Sequence, residues 1–98
     1  MKVLRSTLVS PRNGEAEALS KLLHQLDGYL STQPGFVESY ELAENNSLGR
    51  VSVWESRQAA DHAATRVHTI ALKSQIQRHS NPDLSERMLR VTGERHAA

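Results

Sequence analysis

The 98-residue chain contains no cysteine. Disulfide scaffolds, thiolate metal sites and thiol catalysis are excluded, and the redox compartment stays undetermined. Aromatic residues are almost as scarce: one Trp, one Phe and two Tyr, so each is a candidate for a defined structural or binding role. Neither charge sign dominates, with twelve Lys and Arg against eleven Asp and Glu, and no basic block marks a nucleic-acid partner. No apolar run approaches the ~20 residues that span a membrane. The N-terminal MKVLRSTLV carries Arg5 in its middle and leads into PRNG rather than a cleavage region. No targeting segment is expected, no membrane partner either, and a cytoplasmic location is the default.

What is present reads as one domain over 1–98, with a core of about 2–92 and a polar C-terminal tail. Lys2 to Val9 is β-prone and stops at Ser10-Pro11-Arg12-Asn13-Gly14, a cluster of breakers. From Glu15 to about Ser31, Ala16, Leu19, Leu22, Leu23, Leu26, Tyr29 and Leu30 recur at helical spacing, with Asn13 as the candidate N-cap. Pro34-Gly35 breaks that helix. Phe36 to Leu42 and Leu48 to Trp54 read as two strands joined through a loop of about four residues, Glu44 to Ser47. Simple alternation places Phe36, Glu38, Tyr40 and Leu42 on one face of the first of these strands.

Ser56 can cap a second helix in which Ala60, Ala63, Ala64, Val67 and Ala71 fall on one side. The pattern leaves open whether that helix runs unbroken to His79. Arg87 to Thr92 supplies a last strand. The order β-α-β-β-α-β predicts an α+β ferredoxin-like unit: a four-stranded antiparallel sheet with two helices on one face. Along the third strand Val51 and Val53 point one way, Arg50, Ser52 and Trp54 the other. Helices can cover only one face, so a symmetric homodimer with sheet packed on sheet is the expected solution for the second.

These residues carry a resemblance. Pro34-Gly35-Phe36 opening the second strand, then Val51-x-Val53-Trp54-Glu55-Ser56 before an alanine-rich helix, resembles the antibiotic biosynthesis monooxygenase domain family over roughly Lys2 to Thr92. The resemblance implies a dimeric α+β barrel, with a pocket between each sheet and its helices and Trp54 on the pocket side. It implies oxygenation without metal, flavin or other cofactor, on a hydrophobic aromatic, polyketide or quinone-like molecule. Such a site needs an apolar slot of about 300 Å³ or more, a base, and donors for a developing oxyanion. Anthrone-oxidising members carry Asn four residues before this tryptophan and Tyr six after it; here those positions hold Arg50 and Ala60. A haem-degrading branch shares only the element order, because its ligand set has no match in this chain.

Many members show a histidine fourteen residues after the tryptophan, and His68 stands at that position. It is the candidate base at the pocket mouth, or else a half-buried histidine at a helix break. Arg50 is the candidate oxyanion partner, or an exposed charge at a strand start. Trp54 is a ring-stacking wall or the largest core residue. Ser52 leaves room for a ligand or simply fits beneath a helix, and Tyr40 offers its hydroxyl to a substrate or packs at an interface. His62 is expected to point away and His24 to be exposed; no histidine pair has metal spacing. Two functions remain: a cofactor-independent monooxygenase, or a non-catalytic ligand-binding or interaction module of the same fold.

Overall fold

The breaker clusters divide the chain where the periodicities change. A computed structural model describes residues 1–97; Ala98, the last residue of the expected tail, lies outside them. The elements are β1 (Val3–Val9), α1 (Ala16–Leu30), β2 (Phe36–Glu44), β3 (Ser47–Trp54), α2 (Arg57–Ala64), α3 (Val67–His79) and β4 (Ser85–Arg90). All strand pairs are antiparallel, in the order β2-β3-β1-β4. This is the ferredoxin-like arrangement, with three helices in place of the expected two. No helix among the described residues is long and apolar enough to cross a membrane.

Helix α1 buries Leu19, Leu22, Leu23, Leu26 and Leu30, the spacing that keeps one stripe on the sheet. The expected cap is not at Asn13: Glu15 holds the N-cap position and makes no side-chain cap bond. Ser56 does cap α2, its hydroxyl accepting from the Ala59 amide at 3.1 Å. At the hairpin both strands run further than expected, because Glu44 pairs with Ser47 and only Asn45-Asn46 turn. Asn45 takes φ of +50°, a left-handed conformation that Asn tolerates better than most residues.

The helical segment after Trp54 breaks at Thr65-Arg66, where Arg66 is extended at φ −65°, ψ 142°. The break resets the helical phase. Ala60 and Ala63 are buried in α2, but the buried side of α3 is Thr69, Leu72 and Ile76. Val67, expected on the covered side, is 85% exposed, and Ala71 is exposed as well. The Thr69 hydroxyl donates at 2.8 Å to the Ala63 carbonyl, which also accepts from the Arg66 amide at 3.3 Å, so this acceptor at the helix end is well paired.

A β-bulge between Phe36 and Glu38 sets the second strand. Phe36 pairs with Trp54 while Glu38 pairs with Val53, so the bulge reverses the alternation. Phe36 therefore packs edge-on against Trp54, ring centroids 5.5 Å apart, and does not share a face with Tyr40. Gly35, just before it, has φ of +86°, and a Cβ there would collide with the Ala59 Cβ of α2. Gly35→Ala is expected to cost about 1–2 kcal/mol from the backbone conformation alone. The collision adds to that. A melting temperature lowered by roughly 4 °C or more for each kcal/mol checks it, and an unchanged melt contradicts this role for Gly35.

Candidate functional site

Three alternate residues of β3, Arg50, Ser52 and Trp54, face the helices and are buried. Pairing extends the row onto β1, because Thr7 stands opposite Arg50 and Arg5 opposite Ser52. From above, α2 contributes Ala60 and Ala64, α3 contributes Thr69 and Lys73, and α1 contributes Leu30. Together these ten side chains enclose one small space. Arg50 and Ala60, where the resemblance sets Asn and Tyr apart from this chain, are both on its wall.

Trp54 is 1% exposed. Its indole N–H donates to the Ser52 hydroxyl at 2.9 Å, two residues away on the same strand face. Ser52 therefore supplies the acceptor that a buried indole requires, which explains a polar residue with no exposure at the centre of the sheet. Arg50 is 4% exposed and ends on a carboxylate the sequence did not suggest. Its Nε and Nη2 donate to one oxygen of Asp27 at 3.1 and 3.0 Å, and the Ser39 hydroxyl donates to the other oxygen at 3.0 Å. Asp27 follows Leu26 at the flank of the leucine stripe, and from there its carboxylate reaches both β2 and β3. An Arg alternating with Ser52 and Trp54 on the covered face was the available signal, since a buried guanidinium needs a counter-charge.

Lys73 is the second residue that sequence reasoning missed as a site residue. It lies four residues after buried Thr69 and three before buried Ile76, hence on the covered face of α3. Burial pushes its ammonium down from its ordinary value, with Glu86 opposing that and Arg5 and Arg50 adding to it. Burial likewise pushes the Arg50 guanidinium down, against the hydrogen bonds it donates to Asp27. Lys73 Nζ is 3.5 Å from Glu86, which also faces Arg5 at 3.8 Å.

The space these residues enclose is about 10 Å³. That is room for about one water and not for an aromatic ring. The expected slot is filled by the Arg50, Trp54 and Lys73 side chains. His68 is not on this wall: it is exposed, with its ring against Tyr29, centroids 4.4 Å apart. The phase change at Thr65-Arg66 is the reason, since it carries Val67 and His68 outward together. Tyr40 is on the opposite face of the sheet, 58% exposed and paired with Val51, because it is one residue out of step with Ser39 and Ser52. His62 and His24 are exposed, and the His24 ring meets Glu41 at 2.8 Å. Among the described residues no three of His, Asp and Glu gather closely enough to hold a metal ion.

The Arg50–Asp27 pair has unequal ends. Removing the acid strands a guanidinium in the interior, whereas removing the cation leaves an acid that is 17% exposed and still holds Ser39. Asp27→Ala is expected to destabilise by about 3 kcal/mol or more. Arg50→Met should cost about 1–2 kcal/mol. Urea unfolding of both variants measures the asymmetry, and equal losses would show that Arg50 reaches water without its partner.

No protein-family model matches the sequence, and no curated protein matches it. Solved structures match over nearly the whole chain. SnoaB, a cofactor-independent oxygenase from Streptomyces nogalater, superposes with a TM-score of 0.82 at 18% identity, covering 95% of this chain and 95% of that one. Rv0793 from Mycobacterium tuberculosis gives 0.84 at 21% identity, over 96% and 98% of the two chains. An antibiotic biosynthesis monooxygenase gives 0.82 at 13% identity, over 93% and 99%. Identities this low speak for the fold and leave chemistry to the site. The chain is built on the fold of the antibiotic biosynthesis monooxygenases.

Proposed function

We propose that this protein is a homodimeric, cofactor-independent oxygenase acting on a planar, oxygenated aromatic or quinone-like molecule in the space beneath α2 and α3. The observation that carries this reading is the convergence of Trp54, Arg50 and Lys73 on one enclosed spot of the inner sheet face. An indole supplies an apolar wall, and two cations supply charge where an enolate oxygen forms. The likeness to a cofactor-independent oxygenase of the same fold adds support. In such a reaction a substrate CH₂ loses a proton, and its carbanion passes electrons to dioxygen. One oxygen atom ends in the new carbonyl and the other leaves as water, so no external reductant is needed.

The wall holds no imidazole and no carboxylate. His68 and Tyr40 lie elsewhere and have no part in this scheme. The substrates that suit the wall are those with an acidic phenol or CH₂, such as hydroquinones and anthrones, whose ionised form the cations favour, the proton passing to solvent. Entry of a ring requires Lys73 to swing out and the α2–α3 layer to lift from the sheet. Oxygen uptake with a panel of hydroquinones and anthrones tests the proposal. Arg50→Met and Lys73→Met should each lower uptake about tenfold or more through loss of oxyanion stabilisation. Consumption no faster than buffer with every compound would remove the oxygenase.

The closed space of about 10 Å³ favours a second reading, a non-catalytic module of the same fold. Absence of both uptake and ligand binding is its expected signature.

Homodimerisation rests on the other sheet face. Leu4 and Val53 lie there between Tyr40 and Leu89, and Leu8, Val37, Tyr40, Leu42 and Leu89 are exposed among polar neighbours. An apolar face of this kind on a short chain calls for a cover. Sedimentation at micromolar concentration should give twice the 10.9 kDa protomer. Val53→Asp, which places a charge at the centre of that face, should give the protomer mass. A wild-type monomer would overturn the sheet-to-sheet model.

A further inference from the structure

The outer face of the sheet carries rows of side chains that cross all four strands. One runs Glu38–Val53–Leu4–Leu89 from β2 to β4, and the next Tyr40–Val51–Ser6–Arg87. The third, from Leu42 to Ser85, is uncharged. The two charges of these rows therefore stand at opposite edges, the acid on β2 and the cation on β4, and both are exposed. Neither forms an ion pair among the described residues. The Tyr40 hydroxyl donates to Glu38 at 3.4 Å. Three strand spacings, roughly 14 Å, keep Glu38 and Arg87 of one protomer apart. Glu86, beside Arg87 in the chain, is turned to Arg5 and Lys73 on the other face.

Two copies whose sheets pack face to face, with strands aligned to within about 30°, can be related by a two-fold axis running across the strands or along them. An axis across the strands lays each edge strand over its own copy. Arg87 then faces the partner's Arg87 on an otherwise apolar surface, a like-charge contact that costs stability. An axis along the strands lays β2 over the β4 strand of the other copy. Tyr40 then faces the partner's Arg87, with Glu38 one row away, and Val53 faces the partner's Leu4.

From this distribution we infer that the outer face docks a second copy about a two-fold axis along the strands, so that Arg87 of each protomer lies over the partner's Tyr40 and the partner's Glu38. This rests on the homodimer of the functional proposal and deepens it by fixing which strands meet and which residues select the pairing. The guanidinium gains a phenol ring and a carboxylate at once, and the symmetry makes the contact twice. Shape supports the same arrangement. A groove of about 710 Å³ crosses Leu4, Val53, Glu38 and Tyr40 and is bordered by the tail from Val91 to Ala97. Glu94 of that tail is tied to Lys2 at 3.2 Å. The groove lies on the side where the β4 strand of the second copy arrives, and Leu89, 47% exposed, is the apolar side chain which that strand brings to it.

Sedimentation of charge variants of the full chain tests the pairing. Glu38→Arg and Arg87→Glu are each expected to raise the dimer dissociation constant about tenfold or more. The double variant should return to within about threefold of the wild type, and the separation within one protomer means that such rescue can act only between protomers. Circular dichroism shows whether each variant is folded. The chain has no cysteine, so engineered thiols give a second readout. A chain carrying both Tyr40→Cys and Arg87→Cys should be joined into a covalent dimer by a short bis-maleimide, whereas Tyr40→Cys alone should not. Arg87→Glu dimerising as tightly as the wild type, a double variant no tighter than the single ones, or cross-linking of Tyr40→Cys alone overturns the arrangement and leaves the homodimer standing. A wild-type monomer gives the groove to another occupant and removes the homodimer and the arrangement together.

Discussion

The geometry of the inner sheet face depends on one buried contact, the guanidinium of Arg50 held by Asp27. It ties the middle of β3 to the last turns of α1 through two hydrogen bonds to a single carboxylate oxygen. Removing a cation from water is costly, and such a pair earns little net stability over a hydrophobic alternative. Its effect is geometric. With Arg50 fixed, Ser52 is free to serve the Trp54 indole, Ser39 to serve Asp27, and the space above is bounded on one side by charge and on the other by aromatic surface.

The second constraint is the break at Thr65-Arg66. A continuous helix from Ser56 would have kept Ala60, Ala64, Val67 and Ala71 on one line and carried His68 along its edge. Two residues out of helical phase put Thr69, Lys73 and Ile76 on the sheet instead and send Val67 and His68 to solvent. The exchange replaces an imidazole at the cavity by an ammonium. The Thr69 hydroxyl, donating across the break to Ala63, makes this tolerable inside the protein.

Much of the fold was legible in the residues. The leucine stripe of α1, the breakers at Pro11 to Gly14 and Pro34-Gly35, the Ser56 cap and the side on which Trp54 lies all follow from periodicity and turn chemistry, and they agree with the structure. Hidden features were those set by long-range contact. The bulge at Phe36/Glu38 is a matter of pairing with β3 and leaves no mark in the strand's own pattern, so strict alternation misplaced Phe36 relative to Tyr40. Nothing local marks Thr65-Arg66 as a helix break, and that uncertainty alone decided where His68 would point. Trp54, Ser52 and Arg50 were readable as one group because β pleating is rigid; Lys73 and Asp27 were not, since each depends on how a helix is rotated over the sheet. The size of the cavity was beyond reach, because it is the remainder after every side chain has found its rotamer.

The two faces of the sheet are both mixed. A one-sided antiparallel sheet normally turns apolar residues to its helices and polar ones to water. Here the covered face holds Arg5, Thr7, Arg50, Ser52 and Glu86 among the apolar Val3, Val9, Phe36, Leu48, Trp54 and Met88, and the uncovered face holds Leu4, Leu8, Tyr40, Val51, Val53 and Leu89 among Ser6, Glu38 and Arg87. A monomer built only for stability gains nothing by burying cations and exposing leucine and tyrosine. The apolar residues of the outer face become economical if that face meets an apolar partner. Trp54, packed from behind by Phe36 and flanked by Arg50, is placed where the apolar and the charged parts of the covered face touch. Its ring completes the core toward Phe36 and forms the wall of the charged space toward Lys73.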